Sequence, residues 1–123
     1  MLLDTHVVLW QLSGERTFST HAQTAIRSAQ AIFVSAVSFA EIGVKSATGK
    51  LDVPDDLVER IVQTGVQVLA LAPEHGLGVA RLPMHHRDPF ARLLVSQARA
   101  EGLTIVTADQ HIPRYDVTCI HAG

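Results

Sequence analysis

The feature that most constrains this chain is an alternation. Short, unbroken apolar runs are separated by segments with a helical period. Leu2-Leu3, residues 31–35, 66–71, 103–107 and 117–120 read as five strands. Thr5 to Leu12 reads as a short helix with Asp4 or Thr5 at its start, followed by a loop, Ser13-Gly14-Glu15-Arg16. Residues 19–31 place apolar or small side chains at 22, 25, 26 and 29, which is a helical spacing. Ser38-Phe39-Ala40-Glu41 has the form of a capping box, with a helix running on toward Gly49. Pro54-Asp55-Asp56 opens another helix, with Leu57, Ile61 and Val62 on one face and Gly65 as its stop. Residues 74–82 form a helix of small residues. Residues 88–101 form the best helix, with Phe90, Leu93, Leu94 and Ala98 as its stripe and Gly102 after its end. Strands without polar alternation are strands buried on both faces. The expected fold is therefore α/β, with a mostly parallel central sheet of four to five strands between two helical layers. No repeat, linker or low-complexity stretch interrupts it, so residues 1–123 read as one domain.

Composition bears on partners and location. With 47% hydrophobic and 18% charged residues, the chain has a core to fill and is not a disordered segment. No apolar run approaches the roughly 20 residues that span a bilayer, so no membrane role is expected. The start, Met1-Leu2-Leu3-Asp4, lacks the basic region of a signal peptide, and the one cysteine, Cys119, suits a reducing compartment. A cytoplasmic location follows as the expectation. The formal charge of −2 excludes a nucleic-acid binder held by bulk positive charge. It leaves room for a nuclease whose bound cations supply that charge.

In open parallel sheets, ligands collect beyond the carboxyl ends of the strands. Asp4 directly follows strand 1, Asp109 follows strand 4, and Glu41 lies early in the helix after strand 2. Asp88 opens the helix before strand 4, where its end can face the same edge. Four acids at one edge repel each other unless a cation sits among them. Mg²⁺ or Mn²⁺ takes a few carboxylate oxygens plus water, and such ions activate water for phosphodiester hydrolysis. Each acid also has a plainer explanation. Asp4, Asp88 and Asp109 are good helix caps, and Glu41 is the last member of a capping box. Only their joint placement favours a site.

Other residues weigh less. Adjacent His85 and His86 do not share a helix face and have no partners at zinc spacing, so a loop at the substrate edge is expected. Gly76-Leu77-Gly78 follows no strand and is not a dinucleotide fingerprint. Trp10 reads as packing or interface and Cys119 as core. Arg87 and Arg92 flank the acidic edge, where they can meet phosphate. A phosphoacceptor receiver domain is disfavoured, since Asp4 has no neighbouring acid and the two lysines, Lys45 and Lys50, follow no late strand.

Four stretches in order resemble the motifs of PIN-domain ribonucleases of VapC type, the toxins of bacterial toxin–antitoxin pairs. They are Met1-Leu2-Leu3-Asp4-Thr5-His6-Val7-Val8-Leu9-Trp10, Val34-Ser35-Ala36-Val37-Ser38-Phe39-Ala40-Glu41-Ile42, the stretch from Leu82 through Asp88-Pro89-Phe90 to Ala98, and Val106-Thr107-Ala108-Asp109. The resemblance covers essentially the whole chain and implies a three-layer PIN-like fold. It implies Mg²⁺- or Mn²⁺-dependent endonucleolytic cleavage of RNA, a homodimer, and a VapB-type antitoxin that closes the cleft in a hetero-oligomer. By position, Asp4, Glu41 and Asp109 match metal-binding acids, and Asp88 is the further candidate ligand. Thr107 matches a supporting hydroxyl, and Thr5, Arg87 and Arg92 are taken as supporting residues. One position departs. The family's third motif usually reads Asp-Pro-Phe-Asp, and its second acid is Ala91 here. Losing that ligand implies a weakened or inactivated nuclease, natural or engineered. The competing expectation is a non-catalytic protein of the same fold that binds a partner or RNA, docking through helices 22–31 and 57–62.

Overall fold

The computed structural model describes residues 1–14 and 18–123. In chain order they form β1 (Leu2–Leu3), α1 (Thr5–Ser13), α2 (Thr20–Ser28), β2 (Phe33–Ser35), α3 (Ala36–Ala47), α4 (Leu57–Gln63), β3 (Gln67–Leu69), α5 (Pro73–Gly78), α6 (Pro89–Glu101), β4 (Ile105–Thr107) and β5 (Cys119–His121). Tight 3-10 turns occupy Val79–Arg81 and Ile112–Arg114. The five strands pair in the order β3-β2-β1-β4-β5, and every pairing is parallel.

Register sorts the core into two halves. Leu2 sits beside Phe33 and Ile105, and one residue on, Leu3 sits beside Val34 and Val106. Side chains alternate across a strand, so the two rows point to opposite faces. Leu3, Val34 and Val106 pack with Val7 and Val8 of α1, Ala22 of α2, Ile42 of α3, and Leu57 and Ile61 of α4. Leu2 and Ile105 pack with Leu94, Val95 and Ala98 of α6 and with Val37, Leu82, Ile112 and Tyr115. Helices therefore cover both faces, and α3 contributes to each half. The expected α/β sheet with two helical layers is present, with five strands and no antiparallel member.

The elements are shorter than the apolar runs, for local reasons. β1 stops at Leu3 because Asp4 already caps α1, its carboxylate accepting from the Thr5 N–H at 2.7 Å. β2 starts at Phe33, although the carbonyls of Ala31 and Ile32 already accept from the Met1 amino group and the Gln67 N–H. β3 likewise keeps only the middle of its run, and β4 begins at Ile105. β5 lies one to two residues later than its run. α2 ends at Ser28, and the helix of 74–82 breaks into α5 and a 3-10 turn. α1 runs through Ser13 and ends on Gly14 at φ +70, a left-handed conformation that glycine adopts without strain. The loop expected over 13–16 thus begins late, and its Glu15 and Arg16 lie outside the described residues.

Two expectations about helix faces are corrected. α3 begins at Ala36, not Ser38, because the Ser35 hydroxyl accepts from the Val37 N–H at 3.0 Å. Ser38 and Glu41 therefore lie within the helix, and no capping box forms there. α4 starts at Leu57, and Val62 stands 49% exposed while Leu57 and Ile61 are buried. The α6 stripe is as expected, with Gly102 at φ +66 ending the helix.

Leu94 is fully buried at the centre of the second half-core. Leu94→Ala is expected to cost about 3 kcal/mol through lost burial and a residual cavity. Val62→Ala should change stability by less than about 0.5 kcal/mol. Urea unfolding of the two variants checks the contrast.

Candidate functional site

The strand order reverses between β1 and β4. The chain builds outward from β1 through β2 to β3, then returns to place β4 on the other side of β1. Connections leave in opposite directions there, opening a crevice at the carboxyl ends of the two central strands. Asp4 is the first residue after β1 and Asp109 the second after β4. Together they line one cavity of about 250 Å³ with His6, Trp10 and Ala108.

Thr107, at the end of β4, ties the two acids together. Its hydroxyl donates to Asp4 Oδ2 at 2.7 Å and accepts from the Asp109 N–H at 2.9 Å. The hydroxyl is fully buried, so this geometry is not shared with water. Asp4 Oδ1 takes the Thr5 N–H, and the Thr5 hydroxyl donates to Ser38 Oγ at 2.9 Å. Thr5 and Ser38 thereby tie the start of α1 to the first turn of α3. One turn further along α3, Glu41 is 4% exposed and receives Lys45 Nζ on Oε2 at 2.7 Å.

The electrostatics of the three acids differ. Burial pushes the Asp4 carboxyl above the usual carboxylate range and the nearby Glu41 charge adds to it, against the bonds from Thr107 and Thr5 and the attraction of His6. Asp109 is partly buried, which alone would raise it. The N–H groups of His111 and Ile112 and the His86 ring outweigh that and hold it below the usual range. Asp4 and Glu41 therefore form a buried pair whose charges oppose each other, while Asp109 is a stabilised carboxylate beside them. The oxygen-only donor set, with excess negative charge at Asp4, fits a hard divalent cation better than a thiophilic one. Among the described residues, no three of His, Cys, Asp and Glu stand close enough to enclose an ion. A cation held by these acids would have to keep much of its shell in water and substrate oxygens.

The remaining sequence candidates fall elsewhere. Asp88 Oδ1 accepts from the Phe90 N–H at 2.9 Å and caps α6, so the plainer reading describes it. Ala91 is 7% exposed and belongs to the apolar cluster with Leu2 and Val37. Arg87 is exposed. Arg92 does not present its charge to the cleft, which corrects the expectation that it flanks it to meet phosphate. It is 7% exposed and donates to the carbonyls of Val79, Leu82 and Pro83 and to the Tyr115 hydroxyl. A guanidinium with five donors is what a buried group of inward-turned carbonyls requires.

Sequence reasoning missed Lys45, Ser38 and the partner of Asp109. The i,i+4 spacing from Glu41 was a visible signal for Lys45. His86, whose Nε2 lies 2.7 Å from Asp109 Oδ2, stands 23 residues from its partner and left no local signal.

Comparison with known proteins agrees with this geometry. The family described as "PIN domain" matches residues 1–117. Ribonuclease VapC22 of Mycobacterium tuberculosis is 25% identical over 115 residues, covering 91% of this chain and 88% of that protein. A crystal structure of VapBC2 from Rickettsia felis, bound to a DNA fragment from its promoter, superposes with a TM-score of 0.72 at 13% identity, over 99% of this chain and 98% of that one. DNA-bound VapBC from Salmonella typhimurium gives a TM-score of 0.69 at 13% identity, over 97% and 95% of the respective chains. At such identities the structures speak for the fold alone.

The raised Asp4 value has a consequence for stability. The folded state holds this proton more tightly than the unfolded chain does, so stability falls as pH rises from the usual carboxylate range through the higher folded value. Asp4→Asn removes the buried charge. It is expected to stabilise the protein at pH 7, with a smaller gain near pH 4. Denaturant midpoints of the two proteins at both pH values test this, and a gain independent of pH would contradict it.

Proposed function

The chain belongs to the PIN-domain family, and from that premise we propose that it is the ribonuclease toxin of a toxin–antitoxin pair, an endonuclease that hydrolyses RNA phosphodiesters with Mg²⁺ or Mn²⁺. The observation that carries this is the convergence of Asp4 and Asp109 on one cavity, with Thr107 bonded to both and the Glu41 charge acting on Asp4. The printed name of the relative, a ribonuclease, supports the same reading.

Asp4, Glu41 and Asp109 are the residues we assign to the cation. When bound, such an ion supplies an activated water and stabilises charge on the phosphate oxygens. Thr107 and the Thr5 N–H fix the Asp4 carboxylate with one hydrogen bond to each oxygen, so each oxygen retains acceptor capacity. Thr5 and Ser38 hold α1 against α3, and so hold Asp4 near Glu41. Lys45 neutralises Glu41 in the metal-free protein. Asp88 serves by capping α6, which carries position 91 one turn in.

The partner reading is an antitoxin of the kind found in the VapBC complexes. A mostly apolar cavity of about 340 Å³ beside the acids supports it, lined by Leu9, Trp10, Leu51, Val53 and Leu57 and sharing His6 and Trp10 with the acid cavity. A segment seated there lies against the mouth of the site. A homodimer belongs to the same proposal. Among the described residues, no helix is long and apolar enough to cross a membrane.

Ala91 is the test. An acid there is buried among apolar side chains unless a cation offsets its charge. Ala91→Asp is expected to lower the thermal midpoint in EDTA and to recover it in Mn²⁺. RNA cleavage in Mn²⁺ should rise at least about tenfold. A folded Ala91→Asp protein that neither cuts RNA nor gains stability from Mn²⁺ would sink the assignment.

A further inference from the structure

We propose that His86 is a positioning residue for Asp109, and that Tyr115 and Arg92 hold His86 in place. The inference rests on the assignment of Asp109 to the cation site and adds the device that aims it.

His86 sits in the segment leading into α6, and its ring reaches across to the end of β4. Nε2 lies 2.7 Å from Asp109 Oδ2, and Nδ1 accepts the backbone N–H of Asp88 at 3.1 Å. An imidazole nitrogen that accepts an N–H carries no proton, so the neutral ring bears its hydrogen on Nε2 and donates it to Asp109. The other Asp109 oxygen, Oδ1, accepts the His111 N–H at 2.6 Å, and the His111 ring stands edge-on to His86 at 5.2 Å. Asp109 is thus gripped on both oxygens.

The segment bearing His86 has few regular backbone partners, and Tyr115 replaces them. Its buried hydroxyl accepts the N–H groups of His85 at 3.2 Å and His86 at 2.9 Å. Arg92 Nη1 donates to the same oxygen at 3.1 Å, and the ring of His85 packs edge-on against the Tyr115 ring at 5.0 Å. Arg92 also binds the carbonyls of Leu82 and Pro83, just upstream. A chain of contacts therefore runs from the core of α6 through Tyr115 and the His86 backbone to the Asp109 carboxylate. Hydrogen-bonded partners of ligating carboxylates set their orientation, and losing one typically costs about 10- to 100-fold in metal affinity.

The test uses the full chain with His86→Ala, His86→Gln and Tyr115→Phe, titrated with Mn²⁺ by calorimetry. His86→Ala loses two hydrogen bonds and is expected to melt below wild type, so its titration is read well below its own thermal midpoint. Its Mn²⁺ affinity should fall about tenfold, with much of the loss restored in His86→Gln, which keeps an N–H donor. Tyr115→Phe should weaken binding in the same direction. Equal affinity in wild type and His86→Ala overturns the proposal, as does tighter binding, which would mean that the imidazole competes for the carboxylate. Long-range ¹H–¹⁵N spectra of the metal-free protein give a second readout. They should report the Nε2–H tautomer, and an Nδ1–H or averaging ring overturns the geometry. Wild-type protein that binds no Mn²⁺ would defeat the cation assignment itself while the spectra still decide the bond to Asp109.

Discussion

A single buried hydroxyl joins the two halves of the acidic edge. Thr107 donates to the carboxylate that follows β1 and accepts from the backbone that carries the carboxylate after β4. Both strands are short and fully buried, so their ends have little freedom, and the hydroxyl sets how far apart the two acids stand. The backbone reinforces this, since the Asp4 N–H donates to the Val106 carbonyl at 2.9 Å. Parallel pairing brings the carboxyl ends of β1 and β4 side by side, and the reversal of strand order between them keeps a helix from covering the crevice. The fold makes the gap, and one hydrogen-bonding oxygen fixes its chemistry.

That gap concentrates negative charge that the protein only partly offsets. Asp4 has two hydrogen bonds and remains shifted upward by burial and by Glu41. Glu41 has Lys45, and Asp109 has His86 and two backbone N–H groups. Glu41 and Asp109 thus each have a cationic or imidazole partner within hydrogen-bond distance, whereas Asp4 has the longer-range attraction of His6. Asp4 is the one left for an added positive charge to compensate. The stability lost by burying it is the kind that a binding site retains, since charge disfavoured in the free protein is charge available to a cation.

The strands, their parallel order and the positions of Asp4, Glu41 and Asp109 could be read from the chain because they depend on local signals. Unbroken apolar runs mark the strands, and a polar residue at the end of such a run marks the sheet edge, although only the three central strands are buried on both faces while β3 and β5 are partly exposed. Element ends were less legible. They depend on which neighbour pairs with them across the sheet. The capping-box reading of Ser38 and Glu41 failed because Ser35, three residues earlier, makes the same kind of cap first, which leaves Ser38 free to meet Thr5. Arg92 looked like a cleft arginine from its sequence position. Only the turn at 79–84, with several carbonyls directed inward, explains why its charge is buried, and no local pattern encodes that turn. His86 and Asp109 meet across the fold and were invisible for the same reason.

The stretch His85 to Arg92 brings these levels together. Asp88 and Pro89 start α6, His86 grips Asp109, and Arg92 anchors the segment to Tyr115, so three charged or titratable residues within seven positions have separate structural duties. Ala91 is the exception, a small apolar residue facing the cluster that holds Leu2 and Val37, whose chain neighbours are near the acids. The Asp88 cap, the start of α6 and the histidine beside Asp109 surround it. Under the proposed assignment, position 91 is where a further carboxylate would stand. An apolar residue there suits the cluster it packs in, which favours the metal-free fold. Under the proposed assignment an acid at 91 would add an oxygen ligand for the cation at the expense of that packing, so stability and metal affinity would be set against each other at this one position.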